Sequence, residues 1–328
     1  MRRVWKVLRY SSVGSFFAGL FFVIQGCSIE REGTLAFILL ILMQFCSGPV
    51  MPAGDADTGA PITLNRIYWG DQDTTFIHRC LITGALPCSQ EVVSTRGPAA
   101  GLDVDFVRGF VYWNPLGELL RCSITGSLPC AHETVITVSN VEGIELDIVN
   151  GFLYWADRVG NEIRRCDITG ALPCVSELVA NSATPNHIAV DEVNGYVYWT
   201  NDGILIQRCS ISGALPCSVE TVLTTGVNQS FGIAVDPVGG FVYYGDGGDD
   251  DIIRCSTTGV IPCVTPEVVA NAQADHPNGL DIDLVNGFLY WAADSGTEGI
   301  RRCSYTGPLP CTPVLVHNGD VPDISLGP

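Results

Sequence analysis

The sequence predicts an all-β fold, a six-bladed β-propeller of four-stranded antiparallel blades whose ring is closed by a C-terminal strand. Three observations carry this. An aromatic pair recurs as Tyr68-Trp69, Tyr112-Trp113, Tyr154-Trp155, Tyr198-Trp199, Tyr243-Tyr244 and Tyr290-Trp291, at steps of 44, 42, 44, 45 and 47 residues. A cysteine pair of constant spacing follows each aromatic pair, and short apolar runs are separated throughout by Gly, Pro and Asp turns. A period in the forties built from short strands is that of a propeller blade, which buries its faces only against its neighbours.

Within one repeat, Gly279-Leu280-Asp281-Ile282-Asp283 alternates apolar and acidic residues, as suits a first strand with one buried face. Asp283 opens and Gly287 closes a turn of the form Asp-x-Val-x-Gly, repeated at Asp105/Gly109, Asp147/Gly151, Asp191/Gly195 and Asp236/Gly240. Asp can accept amides two residues on and Gly can take positive φ, so this reads as a tight hairpin. The aromatic pair lies on the second strand. Ile163 to Ile168 forms a third, and Thr169-Gly170 turns into a fourth that contains Glu177 and Val179. The first repeat lacks the strand before Tyr68, and Val321 to Gly327 resembles it, so the C-terminus is expected to supply that strand and remove two exposed edges.

The pairs Cys80/Cys88, Cys122/Cys130, Cys166/Cys174, Cys209/Cys217, Cys255/Cys263 and Cys303/Cys311 lack a second ligand pair or a recurrent His, as zinc would need. They read as disulfides stapling third strand to fourth, each closing a loop worth roughly 2.5 kcal/mol in the entropic account. Six bridges imply an oxidising, secreted or extracytoplasmic location.

The net charge is −18, and residues 1–50 hold five Arg/Lys against two Asp/Glu, so the remainder carries −21. Lys6 is the sole lysine, and nucleic acid would be repelled. Residues 1–54 read as a signal or membrane-targeting segment, 55–61 as a linker and 62–328 as the propeller. Arg2, Arg3, Lys6 and Arg9 precede an uncharged run from Tyr10 to Ile29. Its end, Val23 to Cys27, reads either as a bacterial lipobox or as part of a plain apolar segment. A second uncharged run extends from Gly33 to Gly54. Two spanning helices would return the propeller to the cytoplasm, against the disulfides, so one run alone is expected to span or target, and membrane contact is expected through this segment only.

Gly-Leu-x-x-Asp before the aromatic pair, Tyr-Trp-x-Asp itself and Ile-x-Arg-x-x-Ile-x-Gly after it resemble the low-density-lipoprotein-receptor class B repeat, or YWTD repeat, over residues 62–328. That resemblance implies a six-bladed propeller. Asp71, Asp157 and Asp246 keep the motif's Asp; Pro115 and Asn201 replace it, and Asp294 lies one place late. The paired cysteines depart from the receptor pattern.

The repeated Tyr-Trp pairs read as core rather than as ligand-stacking aromatics. The repeated Arg79, Arg121, Arg165, Arg208, Arg254 and Arg302 read as ion-pair partners rather than as an anion ring. The loops after the aromatic pairs fall on one face and make it acidic, so Asp71, Asp157, Asp202, Asp246 and Asp294 are candidate contacts for a basic protein or peptide. Asp246, Asp249, Asp250 and Asp251 could share Ca²⁺, the one cofactor the sequence suggests, although a solvated acidic loop explains them as well. Asn228-Gln229-Ser230 is a glycosylation sequon if the source is eukaryotic. The five histidines share no repeat position and no hydrolase motif occurs, which favours a binding module over an enzyme. The alternative is a metal-dependent extracellular hydrolase or lyase of the lactonase type. Its central channel would draw on Asn186, His187, His276 and Asn278, a suggestion by fold analogy alone.

Overall fold

In the computed structural model, residues 64–97, 100–202, 205–224, 230–271, 276–293 and 298–327 are described. The N-terminal segment 1–54, the linker 55–61, Asn228 and Asp294 lie outside these residues. Six antiparallel four-stranded sheets stand in a ring within one unit, Met51–Pro328. From the axis outward, blade 3 is Val141–Asp147, Phe152–Asp157, Glu162–Asp167 and Glu177–Asn181. Blades 2, 4, 5 and 6 repeat that order, with inner strands Leu102–Asp105, Pro185–Asp191, Ser230–Asp236 and Pro277–Asp283. Blade 1 takes its inner strand, Ile324–Gly327, from the C-terminus, where it pairs antiparallel with Arg66–Asp71. The expected closure is therefore the architecture observed, and each inner strand neighbours the next around the ring.

The hairpin between the first two strands forms for local reasons. The Asp105 carboxylate accepts the amides of Val107 and Arg108 at 3.1 and 2.8 Å, and Gly109 completes the turn at φ +73°. The turns at Asp191, Asp236 and Asp283 repeat both bonds and Asp147 accepts the Asn150 amide alone, and all four have glycine φ between +68° and +74°, where any Cβ would be strained. Each tyrosine of an aromatic pair packs toward one neighbouring blade and its tryptophan toward the other, so Tyr112 and Trp155 share one core cluster. All twelve aromatic side chains are buried, as expected of residues that build a repeated core.

Six disulfides join the expected partners, Cys80–Cys88, Cys122–Cys130, Cys166–Cys174, Cys209–Cys217, Cys255–Cys263 and Cys303–Cys311, at Cα–Cα distances of 5.8–6.3 Å. Each ties the third strand to the approach of the fourth. The two halves of a bridge differ in what they touch. Cys80, Cys122, Cys166, Cys209, Cys255 and Cys303 are buried on third strands. Cys88, Cys130, Cys174, Cys217, Cys263 and Cys311 lie between strands, where their backbone amides donate to the carbonyls of Val316, Val93, Val135, Val179, Val222 and Val269 at 2.8–2.9 Å. Each of those valines is on the outer strand of the preceding blade. The second cysteine therefore also fastens blade to blade, a contact that spacing within one repeat does not reveal.

Five of the six repeated arginines pair within their own blades, with glutamate rather than aspartate, whereas Arg302 stands opposite Val314 and donates to the Tyr290 hydroxyl and the Ile82 carbonyl. The Nε atoms of Arg79, Arg121, Arg165, Arg208 and Arg254 donate at 2.6–3.0 Å to Glu91, Glu133, Glu177, Glu220 and Glu267 at the start of the outer strand. One expectation needs correcting. Asp281 and Asp283 do not form a solvent face: Asp283 is buried under its turn and Asp281 lines the central channel. Both faces of an inner strand pack on neighbouring blades, so alternation distinguishes two environments without exposing either.

Candidate functional site

The loops joining second to third strands crowd one end of the ring, as the repeat implies. Three of the motif aspartates there are turn-formers. Asp71 accepts the Thr74 amide at 2.8 Å, Asp157 that of Gly160 at 2.7 Å, and Asp246 those of Gly248 and Asp249 at 2.9 and 3.3 Å. Asp71 and Asp246 are buried. Asn201, in the replaced position, donates instead to Ser182 Oγ and the Ala183 carbonyl. Asp202 is more open and pairs with Arg158. In the Asp246–Asp251 loop, Asp250 accepts the His276 amide at 3.1 Å. Among the described residues no three His, Cys, Asp or Glu side chains converge on a common metal position.

Charge on this loop face is unevenly balanced. On blades 2 to 4, Glu118 is ion-paired with Arg96, Glu142 and Asp202 with Arg158, and Glu162 with Arg164, while Asp157 is held by the Gly160 amide. Across the seam between blades 6 and 1, Asp71, Asp73 and Glu298 act on Asp320, and none of the four has an arginine partner among the described residues. The Asp320 carboxyl is raised above its ordinary pKa by burial first, then by Glu298, Asp73 and Asp71. Beneath them, His78 lies 3.6 Å from Asp71, and the Trp69 ring sits between His78 and His317.

The central channel is the second candidate. A cavity of about 80 Å³ there is lined by Asp103, Glu145, His187, Asp281, Asp323 and Ser325 together with apolar inner-strand residues, and among the described residues no arginine or lysine lines it. Of the four channel residues expected from the sequence, His187 and Asn278 meet across blades at 3.0 Å, Asn186 lies beside His187 on the same strand, and His276 precedes its strand. Burial lowers the His187 pKa to about 4, only partly offset by Asn278, so the ring is neutral at pH 7. At the level of His187 the inner strands approach so closely that a Cβ on Gly143 would meet the His187 Cα at 2.8 Å.

Asp103, Glu145, Asp323 and Glu192 escaped sequence reasoning. A signal existed: the third place of the inner-strand repeat reads Asp103, Glu145, Ala189, Ala234, Asp281 and Ser325, a break in an otherwise even pattern. Burial raises Asp103 to about 6 and Asp281 to about 7, and lifts Glu145 and Asp323 well above the usual carboxylate range. Glu192 is pushed to about 7, chiefly by burial and then by Asp147. Asp103, Asp281 and Asp323 are occupied by backbone: they accept the amides of Leu146, Leu326 and Leu102 on the next blade at 2.8, 2.7 and 2.9 Å. They lace blade to blade.

No protein-family profile matches the chain, and no curated protein matches it. Solved structures do, at the level of fold. A chain in a nidogen–laminin complex aligns at TM-score 0.66 with 16% identity, over 80% of this chain and 98% of that one. TolB from Acinetobacter baumannii aligns at 0.61 with 13% identity, over 83% and 69%. A gluconolactonase from Xanthomonas campestris aligns at 0.56 with 14% identity, over 84% and 91%. The chain is a disulfide-bonded six-bladed β-propeller, a class that includes both binding modules and enzymes.

Proposed function

We propose that this propeller is an extracytoplasmic protein-binding module of the YWTD-like type, receiving a basic segment of a partner on the loop face at the seam of blades 6 and 1. The observation that carries it is the group of open acids Asp73, Glu298 and Asp320, which have no arginine partner among the described residues, against ion-paired acids on blades 2 to 4. Complementary charge steers such a partner and sets its register. Six disulfides, and the likeness to a propeller in a protein complex, support the setting. A channel hydrolase is the weaker reading, because three channel carboxylates are engaged by backbone amides and 80 Å³ is far below the roughly 300–1,000 Å³ of small-molecule pockets.

The test is fluorescence anisotropy with a labelled nonaarginine peptide. Combining Asp73→Asn, Glu298→Gln and Asp320→Asn should weaken binding tenfold or more. Combining Glu133→Gln, Glu177→Gln and Glu220→Gln on the outer strands changes net charge equally and should weaken it less than twofold. Equal losses in the two variants would refute the assignment of the face.

A further inference from the structure

The opposite end of the ring, formed by the Asp-x-Val-x-Gly hairpins and the disulfide loops, has another character. The central residue of each hairpin is an exposed valine: Val107 (56% exposed), Val149 (55%), Val193 (46%), Val238 (57%) and Val285 (50%). They surround the channel mouth. Leu284 beside Val285, Val260 in a disulfide loop, and Val175 and Val264, each directly after the second cysteine of its pair, extend the apolar surface outward. Between the turn Asp and Gly of the five hairpins, and between the cysteines of the six disulfide loops, Arg108, Glu192 and Asp167 are the charged side chains, and the five turn aspartates are buried beneath the tips. Arg108 is bound to Asp105, and Glu192 to the amides of Ile148 and Val149. A chain of net charge −18 thus presents one end that is nearly uncharged. Solvation does not call for a valine at five hairpin tips in succession, where polar residues turn equally well.

The sixth hairpin position is where the polypeptide joins the ring. Asn65 donates to the Gly327 carbonyl and accepts from the Ile82 amide, as Gly109 accepts from Ile124 in blade 2, so Asn65 stands where the other blades have their turn glycine. The chain therefore enters on the valine end. Upstream in sequence lie the uncharged runs 10–29 and 33–54, and residues 55–64 can span at most about 35 Å.

We propose that the valine-bearing end of the propeller rests on a lipid surface, with the acidic loop face turned away from it toward solvent. A short tether raises the effective concentration of the face at the bilayer, so modest apolar contacts suffice. Near-neutrality makes a zwitterionic surface the fitting one, since nothing on this end repels it and no basic cluster selects anionic lipid.

Tryptophan quenching tests this on the full chain. The five tryptophans of the ring are buried, so Trp5→Phe leaves little background accessible to lipid. The protein is assembled into phosphatidylcholine nanodiscs with plain or brominated acyl chains, carrying either Val149→Trp or, on the loop face, Leu116→Trp in place of a residue 91% exposed. Brominated lipid should cut the emission of the Val149→Trp variant at least twofold and leave the Leu116→Trp variant within a tenth. Changing Val107, Val193, Val238 and Val285 together to Ser should restore emission while the thermal midpoint holds. Absent quenching, equal quenching, quenching of the Leu116→Trp variant alone, or loss of the chain from the discs overturns the proposal. So does an emission change that grows with protein concentration in plain lipid, the mark of a second copy on this face. None of these outcomes bears on nonaarginine binding at the loop face.

Discussion

The Asp281 carboxylate of blade 6 accepts the backbone N–H of Leu326 in blade 1 at 2.7 Å, in a channel whose described lining residues include no arginine or lysine. Burial raises its pKa to about 7, against the ordinary 3.8, with Asp103 and Asp283 adding to the rise. The folded ring therefore holds a proton that the unfolded chain releases near pH 4. Its stabilisation is complete below about pH 4 and is lost as pH rises through 7. Asp281→Asn keeps an acceptor for Leu326 but carries no charge. The variant should match the parent near pH 4 and exceed it by about 1–3 kcal/mol at pH 8, read by denaturant unfolding at both values. A pH-independent difference would show that Asp281 is ionised in the fold.

The closing seam should respond in the opposite sense. His317 packs on Trp69 at 4.5 Å between ring centroids, and burial lowers its pKa, as it does that of His78; Asp71 partly offsets both, while His78 lowers His317 further. A histidine lowered in the fold contributes stability above about pH 6.5 that is lost as pH falls. Leu223 occupies the equivalent place in blade 4, opposite Ile206 as His317 is opposite Ile300. His317→Leu should leave the thermal midpoint at pH 8 nearly unchanged and raise it at pH 5 by about 2–4 °C. Melting curves at the two pH values check this, and a uniform shift would assign His317 a packing role alone.

These two groups mark how far the sequence could be read. Blade number, hairpins, disulfides and ring closure were legible because each is a local pattern repeated at a fixed period, so Asp105, Gly109 and Cys122 could be placed without knowing their neighbours. Asp103, Glu145 and Asp281 meet only because the ring brings three blades to one axis, and no local pattern encodes that. The hold of Cys130 on Val93 in the preceding blade was hidden for the same reason. Likewise Asp71 kept its motif and looked like a surface ligand. Its loop turns it inward onto the Thr74 amide, and the open acids of that seam, Asp73, Glu298 and Asp320, stand in loops that do not repeat.

The arginine clamp separates geometry from charge. Arg165 donates to Glu177 at 2.8 Å and to the Tyr154 hydroxyl at 3.0 Å while its guanidinium lies 4.1 Å over the Phe152 ring. Lysine keeps the charge but loses the fork and the stacking. Arg165→Lys should cost about 1–2 kcal/mol. Glu177→Gln should cost about 0.5 kcal/mol or less, because Glu177 is half exposed and surface pairs contribute little. Chemical denaturation of the two variants tests the ranking, and the reverse order would make the ion pair the dominant element.

Truncation probes closure itself. The C-terminal strand pairs Ile324 through Gly327 with Trp69 through Arg66, and Val321, Ile324 and Leu326 share a core cluster with Ile67 and Trp69. The same eight residues carry Asp323, which binds the Leu102 amide, and Ser325, which donates to Asp103 at 2.9 Å. Removing 321–328 strips an apolar face from blade 1 and two lacing contacts from the channel, and it exposes the Arg66–Asp71 strand as an edge. Burial losses of about 2–5 kcal/mol for each large core side chain, against a total stability of about 5–15 kcal/mol, predict loss of a cooperative thermal transition at 25 °C and above. A synthetic peptide spanning 319–328 should restore the transition by strand addition at that edge. An unchanged melting midpoint without the peptide would mean that the ring holds without its closing strand.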